Sequence, residues 1–177
     1  IFFIGYFILE VPSNIALHHF GARRWIARIM VTWGLISASM AFVSGPTSFY
    51  ALRFLLGVAE AGFFPGIVLY LTYWYPAKYR ARVMSAFILG APLSAVFGGP
   101  VSGLLLEMNN MLGLKGWQWL FIIEGIPAAI LGVIAFFYLT DRPSDAKWLD
   151  PEQKKWLEAR LDGERSAKEA AHRMTLL

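Results

Sequence analysis

Five apolar runs succeed one another along this chain, at about residues 1–17, 25–43, 49–75, 83–106 and 119–140. Each is near the ~20 residues that an α-helix needs to cross the hydrocarbon core of a bilayer. A soluble domain of 177 residues has no interior large enough for a chain that is 57% hydrophobic and only 16% charged. The bilayer is the expected solvent. Inside it every backbone polar group must be paired within its own segment or a closed barrel, and runs of this length fit helices. The expected fold class is all-α, a polytopic membrane helix bundle.

The connectors carry the orientation. Arg23 and Arg24, with Arg28 just beyond, follow the first run, and Lys78, Arg80 and Arg82 follow the third. The second connector, at residues 44–48, holds no Lys or Arg, and the fourth, at 107–116, holds only Lys115. The tail after Thr140 is again rich in both. Alternation of basic and non-basic connectors obeys the positive-inside rule, which places the first, third and last on the cytoplasmic side. Residues 1–140 thus read as five transmembrane helices and 141–177 as a cytoplasmic loop. The opening Ile-Phe-Phe-Ile-Gly-Tyr, without Met or signal peptide, reads as the inside of a helix in a longer protein.

The tail has its own helix signal, with Asp150 as N-cap, Pro151 at the first helical position and Gln153 completing a capping box. Trp156, Leu157 and Leu161 then form a narrow apolar stripe, as expected of an amphipathic or surface helix; an unstructured linker is the alternative.

Arg53 and Glu60 stand out within the third run. Seven residues is nearly two helical turns, so both leave one face, about 20° and ~10 Å apart. Charges facing lipid are costly, and such groups normally turn to a bundle interior or wet cavity on a substrate or ion route. Arg53 stays charged, with a fork that fits a carboxylate. A carboxyl in apolar surroundings, such as Glu60, is a candidate for proton exchange near neutral pH. Ionised Glu60 would compete with an anionic substrate for Arg53, and protonated Glu60 would release it. The alternative is an ion pair that only fixes helix packing.

Glu10 and Glu124 are the other acids in apolar surroundings, read as structural hydrogen-bonding groups. Tyr6, one turn before Glu10, reads from spacing alone as a packing aromatic. Gly62-x-x-x-Gly66 and Gly99-x-x-x-Gly103 would allow close helix approach, and the prolines add bends where backbone lines a cavity. With no cysteine, no His-Glu-x-x-His and no phosphate-binding Gly-Lys-Ser/Thr, metal sites, cofactors and enzymatic chemistry are not expected. Ser94 and Ser102 lack an intramembrane His as base. Adjacent His18 and His19 point about 100° apart on a helix. Net charge is +4, but the tail mixes both signs, which argues against nucleic acid.

Four stretches together resemble the Major Facilitator Superfamily, in its anion:cation symporter group of tartrate, phthalate and 4-hydroxyphenylacetate permeases. They are Gly5-Tyr-Phe-Ile-Leu-Glu-Val-Pro-Ser-Asn14 with Gly21-Ala-Arg-Arg-Trp25, the run from Arg53 to Gly66, Tyr79-Arg-Ala-Arg82, and Gly116-Trp-Gln-Trp-Leu-Phe-Ile-Ile-Glu-Gly125. The resemblance covers nearly the whole chain. It implies helices two to six of a twelve-helix fold, with helix one and the C-terminal half outside this sequence. It also implies alternating access, proton-coupled symport of a small organic anion, and a multi-pass location in the inner (plasma) membrane. By it, Arg53 matches a carboxylate-binding Arg, Glu60 a proton site and Tyr6 a substrate-contacting Tyr.

Two departures bear on mechanism. The superfamily's loop Gly-x-x-x-Asp-Arg-x-Gly-Arg-Arg is here Asn14-x-x-x-His18-His19-Phe-Gly21-Ala-Arg23-Arg24. His18 replaces the gating acid, while Gly21, Arg23 and Arg24 remain. Ala91 aligns with a substrate-binding Gln of sugar-acid symporters, which favours a smaller or more apolar carboxylate. A non-transporting sensor or scaffold on the same fold is the competing functional reading.

Overall fold

The computed structural model describes residues 1–175, and the side chains of residues 1–167. Eight α-helices follow in order: α1 (Phe2–Phe20), α2 (Ala22–Ser39), α3 (Pro46–Glu60), α4 (Phe63–Trp74), α5 (Ala77–Ile88), α6 (Gly90–Glu107), α7 (Gly116–Tyr138) and α8 (Pro151–Thr175). A 3-10 turn at Met40–Phe42 extends α2, and another at Pro143–Asp145 leads to α8. Among the described residues four stretches are long and apolar enough to cross a membrane: Ala22–Phe42, Pro46–Trp74, Ala77–Glu107 and Gly116–Tyr138. Helix α1 is 19 residues long, but Glu10, Asn14, His18 and His19 dilute its hydropathy.

The third and fourth apolar runs are not single helices. Between α3 and α4 the backbone extends at Ala61 (ψ 127°) and turns left-handed at Gly62 (φ 85°). Only glycine adopts that conformation without steric cost. Proline adds a second reason: Pro65 has no N–H to donate to the Ala61 carbonyl four residues back. Between α5 and α6, Leu89 keeps helical angles (φ −60°, ψ −20°), and its N–H still donates to the Ser85 carbonyl at 3.0 Å. Helical hydrogen bonding therefore continues through that junction, where the Leu93 N–H also donates to the Leu89 carbonyl at 3.2 Å.

Packing is inverted relative to a soluble protein. The buried set is dominated by small residues, among them Gly5, Ala27, Gly34, Ala41, Gly57, Ala59, Ala61, Gly125, Ala129 and Gly132. Large apolar side chains point outward: Phe3 and Phe7 are each 78% exposed and Phe137 77%. Lipid tails are as apolar as leucine, so helices gain from close backbone approach and leave their large groups to the hydrocarbon.

The most extensive seam joins α2 to α7. A Cβ placed at Gly34 would lie 2.5 Å from the Ala129 nitrogen and 2.6 Å from the Gly125 carbonyl oxygen. We expect Gly34→Val to force this seam apart and lower the yield of folded protein severalfold in size-exclusion profiles. Gly163→Ala, on an exposed part of α8 with no neighbour within 4 Å, should instead hold or gain up to about 1 kcal/mol, as Gly→Ala does in helices.

Helix α1 lies along α3 and α4. Gly5 faces Phe54 and Val58, Gly57 faces Phe2 and Tyr6, Gly62 faces Ser13, and Gly66 faces Leu17. Gly62-x-x-x-Gly66 is therefore a contact strip. Gly99 and Gly103, by contrast, have nothing within 4 Å, and α6 is exposed along most of its length.

Both ends of the bundle are fastened by polar groups. At the Gly21 end, the Thr140 carbonyl accepts from Tyr70 Oη at 3.0 Å and Trp74 Nε1 at 3.2 Å. Trp74 also stacks on Trp148, with centroids 5.6 Å apart and planes 9° apart. Helix α8 begins at Pro151, and the Asp150 N–H donates to Gln153 Oε1 at 3.4 Å. Further along α8, Glu164 accepts from the Ala77 N–H at 2.9 Å, at the N-terminus of α5. At the other end, Gln118 Nε2 donates to the Ala41 carbonyl at 2.6 Å.

Candidate substrate and proton site

Arg53 and Glu60 share the unbroken helix α3, which runs from Pro46 to Glu60, so the two-turn spacing is realised. Arg53 is half-buried, its guanidinium 5.2 Å from the centroid of Phe49. Glu60, also half-buried, is the last residue of α3, immediately before the break at Ala61 and Gly62. Among the described residues neither makes a salt bridge. Two half-buried opposite charges thus share one helix face without a salt-bridge partner among the described residues.

Tyr6 reaches this region from α1. The missing side chain at Gly57 lets the α1 backbone at Phe2 and Tyr6 approach α3. Tyr6 is one turn before Glu10 on α1, and its backbone nitrogen faces Gly57, three residues before Glu60 on α3. The structure thus groups Tyr6, Glu10 and Glu60 along the α1–α3 seam, with Arg53 two turns from Glu60 on α3. Among the described residues Glu10 accepts no hydrogen bond. Glu124 is elsewhere, on α7, where Ser102 Oγ of α6 donates to it at 3.1 Å. Ala91 is exposed at the start of α6.

The loop after α1 is tied down by an acid the sequence reading did not single out. The Arg23 N–H donates to Asp141 Oδ1 at 2.8 Å, and Arg23 Nε lies 3.8 Å from Asp141 Oδ2. The guanidinium also sits 5.2 Å from the Phe136 ring centroid. Gly21 has φ 88°, and a Cβ there would crowd the Asp141 carboxylate at 3.1 Å, so glycine is required twice over. His18 is exposed and Arg24 faces solvent. The acid that holds this loop thus stands just beyond α7, an Asp directly after the last apolar run of the sequence. Asp141→Ala should destabilise the protein by about 1 kcal/mol, the scale of a partly exposed charge-assisted hydrogen bond. Thermal unfolding in detergent would read this as a melting temperature lower by a few degrees.

Ser13 and Trp25 are further residues that the sequence reading passed over. Ser13, 7% exposed, is the buried polar residue among the described core. Its Oγ donates to the Ala61 carbonyl at 2.6 Å and accepts from Trp25 Nε1 at 2.9 Å. Arg28 lies over the Trp25 ring, 4.1 Å from its centroid. The signal was Pro65: a proline four residues after a buried carbonyl leaves that carbonyl in need of another donor. No group of three or more His, Asp or Glu among the described residues could hold a metal ion.

Small residues at the helix contacts, large apolar groups outside and unpaired charges within a span define a multi-pass integral membrane protein. The chain belongs to the Major Facilitator Superfamily, whose sequence model matches residues 1–174. Two proteins of Agrobacterium vitis, each described as a putative tartrate transporter, are 61% identical over 173 residues and 59% identical over 171. A quinolone resistance transporter of Acinetobacter baumannii is 53% identical over 161 residues. These alignments cover 97%, 97% and 91% of this chain, but 40%, 38% and 37% of the relatives' own lengths.

Proposed function

We propose that this chain forms part of a secondary active transporter that moves a small organic anion together with a proton by alternating access. The observation that carries the reading is the pair of half-buried, unpartnered charges on α3, Arg53 and Glu60. In it Arg53 is the carboxylate anchor, Tyr6 a substrate contact and Glu60 the proton site. A fixed guanidinium and an exchangeable carboxyl about 10 Å apart couple the two cargoes electrostatically. Protonation of Glu60 leaves the positive potential of Arg53 to the anion, and release of the anion favours release of the proton. No cofactor takes part; the proton is the coupling ion.

Five spans in residues 1–140 and a cytoplasmic segment at 141–177 fit this reading, in the inner membrane with the Gly21 end inward. The basic residues at that end, Arg23, Arg24, Lys78, Arg80 and Arg82, support the orientation. Gly21, Arg23 and Asp141 form the fastening of the cytoplasmic loop. The relatives described as putative tartrate transporters support a small carboxylate, and the exposed alanine at position 91 accords with a ligand that has few hydroxyls to satisfy.

The test is uptake of labelled tartrate, phthalate and 4-hydroxyphenylacetate by the full-length protein in proteoliposomes, with and without an acid-outside gradient. Gradient-dependent accumulation of one of them is expected. Binding without uptake of any would favour a membrane sensor instead.

A further inference from the structure

The break between α3 and α4 falls directly after Glu60, the last residue of α3. In a continuous helix the Ala61 carbonyl would accept from the N–H of residue 65, but residue 65 is proline. A buried carbonyl without a donor costs about 1–3 kcal/mol, and an unconstrained one would let the break swing. Ser13 Oγ supplies the missing donor from α1 at 2.6 Å. Trp25 Nε1 of α2 donates to the same hydroxyl at 2.9 Å. That second bond occupies the serine oxygen as acceptor and turns its proton toward Ala61. Trp25 is itself held, stacked on Phe20 at 5.6 Å and 9° and covered by the Arg28 guanidinium at 4.1 Å. Three helices therefore converge on one peptide group, the one that follows the proton site.

We propose that Ser13 and Trp25 are positioning residues for Glu60, a relay from α2 through α1 that holds the helix break in one conformation and so fixes the environment in which Glu60 exchanges its proton. A pivot of α3 against α4 about Gly62 would have to break the Ser13 bond to Ala61. Movement of α1 or α2 during the transport cycle then reaches Glu60 through a single hydrogen-bonded chain. The charged and titratable groups on the elements packed around the break, Glu60 aside, are Tyr6, Glu10, His18 and His19 on α1, Arg23, Arg24 and Arg28 on α2, and Tyr50 and Arg53 on α3 itself; Tyr70 and Tyr73 lie about two to three turns away along α4. None of these hydrogen-bonds to the Ala61 carbonyl, which leaves Ser13 as its donor among the described residues.

This inference rests on the reading of Glu60 as the proton site, and the test separates the two. The full-length protein in liposomes is titrated by infrared difference spectroscopy, following the carboxyl band that disappears in Glu60→Gln. If wild type and Glu60→Gln give the same titration, the proton assignment itself fails. If the band is present, Ser13→Ala and Trp25→Phe are expected to displace its midpoint by about half a pH unit or more, about a threefold change in proton affinity. Ser13→Thr, which keeps the hydroxyl, should titrate nearer the wild-type midpoint than Ser13→Ala does. Trp25→Phe keeps a benzene ring beside Phe20 and Arg28 but loses the pyrrole ring with its N–H donor, so it tests the relay should Ser13→Ala fail to fold. A wild-type midpoint in folded Trp25→Phe would overturn the proposal, whatever the effect of either change on melting temperature.

Discussion

Glu60→Gln is expected to abolish proton-driven accumulation of the organic anion while sparing exchange of anion across the membrane. Glutamine has the shape of the protonated carboxyl and no charge to lose, so it mimics one of the two states permanently. Substrate still finds Arg53 without a competing carboxylate, and binding survives. What disappears is the second state. For each proton carried, a gradient of one pH unit supplies about 1.4 kcal/mol, or about a tenfold concentration ratio. The variant should therefore equilibrate its substrate to a ratio near unity under the same gradient, with counterflow retained. Measurement of steady-state accumulation and counterflow in the same vesicles distinguishes this from simple loss of protein. Wild-type accumulation in the variant would sink the assignment of Glu60. Its position makes the prediction sharp, because it ends α3 and has no protein partner among the described residues that could be disturbed in its place.

The sequence made some of this visible and hid the rest for physical reasons. Apolar runs separated by short connectors announce helices because a bilayer demands them, and the alternation of basic residues announces which ends lie together. Arg53 and Glu60 were legible because charge inside an apolar run is costly wherever it points. The helix break at Gly62 was half legible. Gly62 and Pro65 mark a weak place, but Gly98, Gly99 and Pro100 mark one equally well, and α6 runs through it unbroken. Local signals show where a helix can yield; tertiary partners decide whether it does. Ser13 and Trp25 were hidden because their significance lies in what they meet: a serine twelve residues before a tryptophan carries no periodicity. Asp141 was missed for a similar reason, since its partner Arg23 lies 118 residues earlier.

Arg53→Lys is the complementary test, and it separates charge from shape. Lysine keeps the positive charge and still reaches an aromatic face, so the contact with Phe49, now 5.2 Å from the guanidinium carbon to the ring centroid, can persist in part. What it cannot reproduce is the planar fork that donates two parallel hydrogen bonds to one carboxylate. If Arg53 anchors the anion in that way, losing one charge-assisted bond of about 1.5–3 kcal/mol should weaken substrate affinity by roughly 10- to 100-fold. The maximal rate at saturating substrate should fall less, because the potential that opposes Glu60 remains. Removing the charge as well, in Arg53→Gln, should abolish binding and also remove the positive potential through which Glu60 and the anion are coupled. An ion pair that served packing alone predicts the reverse order, with Lys nearly silent in transport and both changes expressed as lower stability. That alternative starts from a disadvantage, because no carboxylate among the described residues lies within salt-bridge distance of Arg53. A guanidinium half-buried in a membrane helix with no acid to hold has room for a ligand's acid, and the graded loss from Arg to Lys to Gln in measured half-saturation constants is the signature that such a ligand would leave.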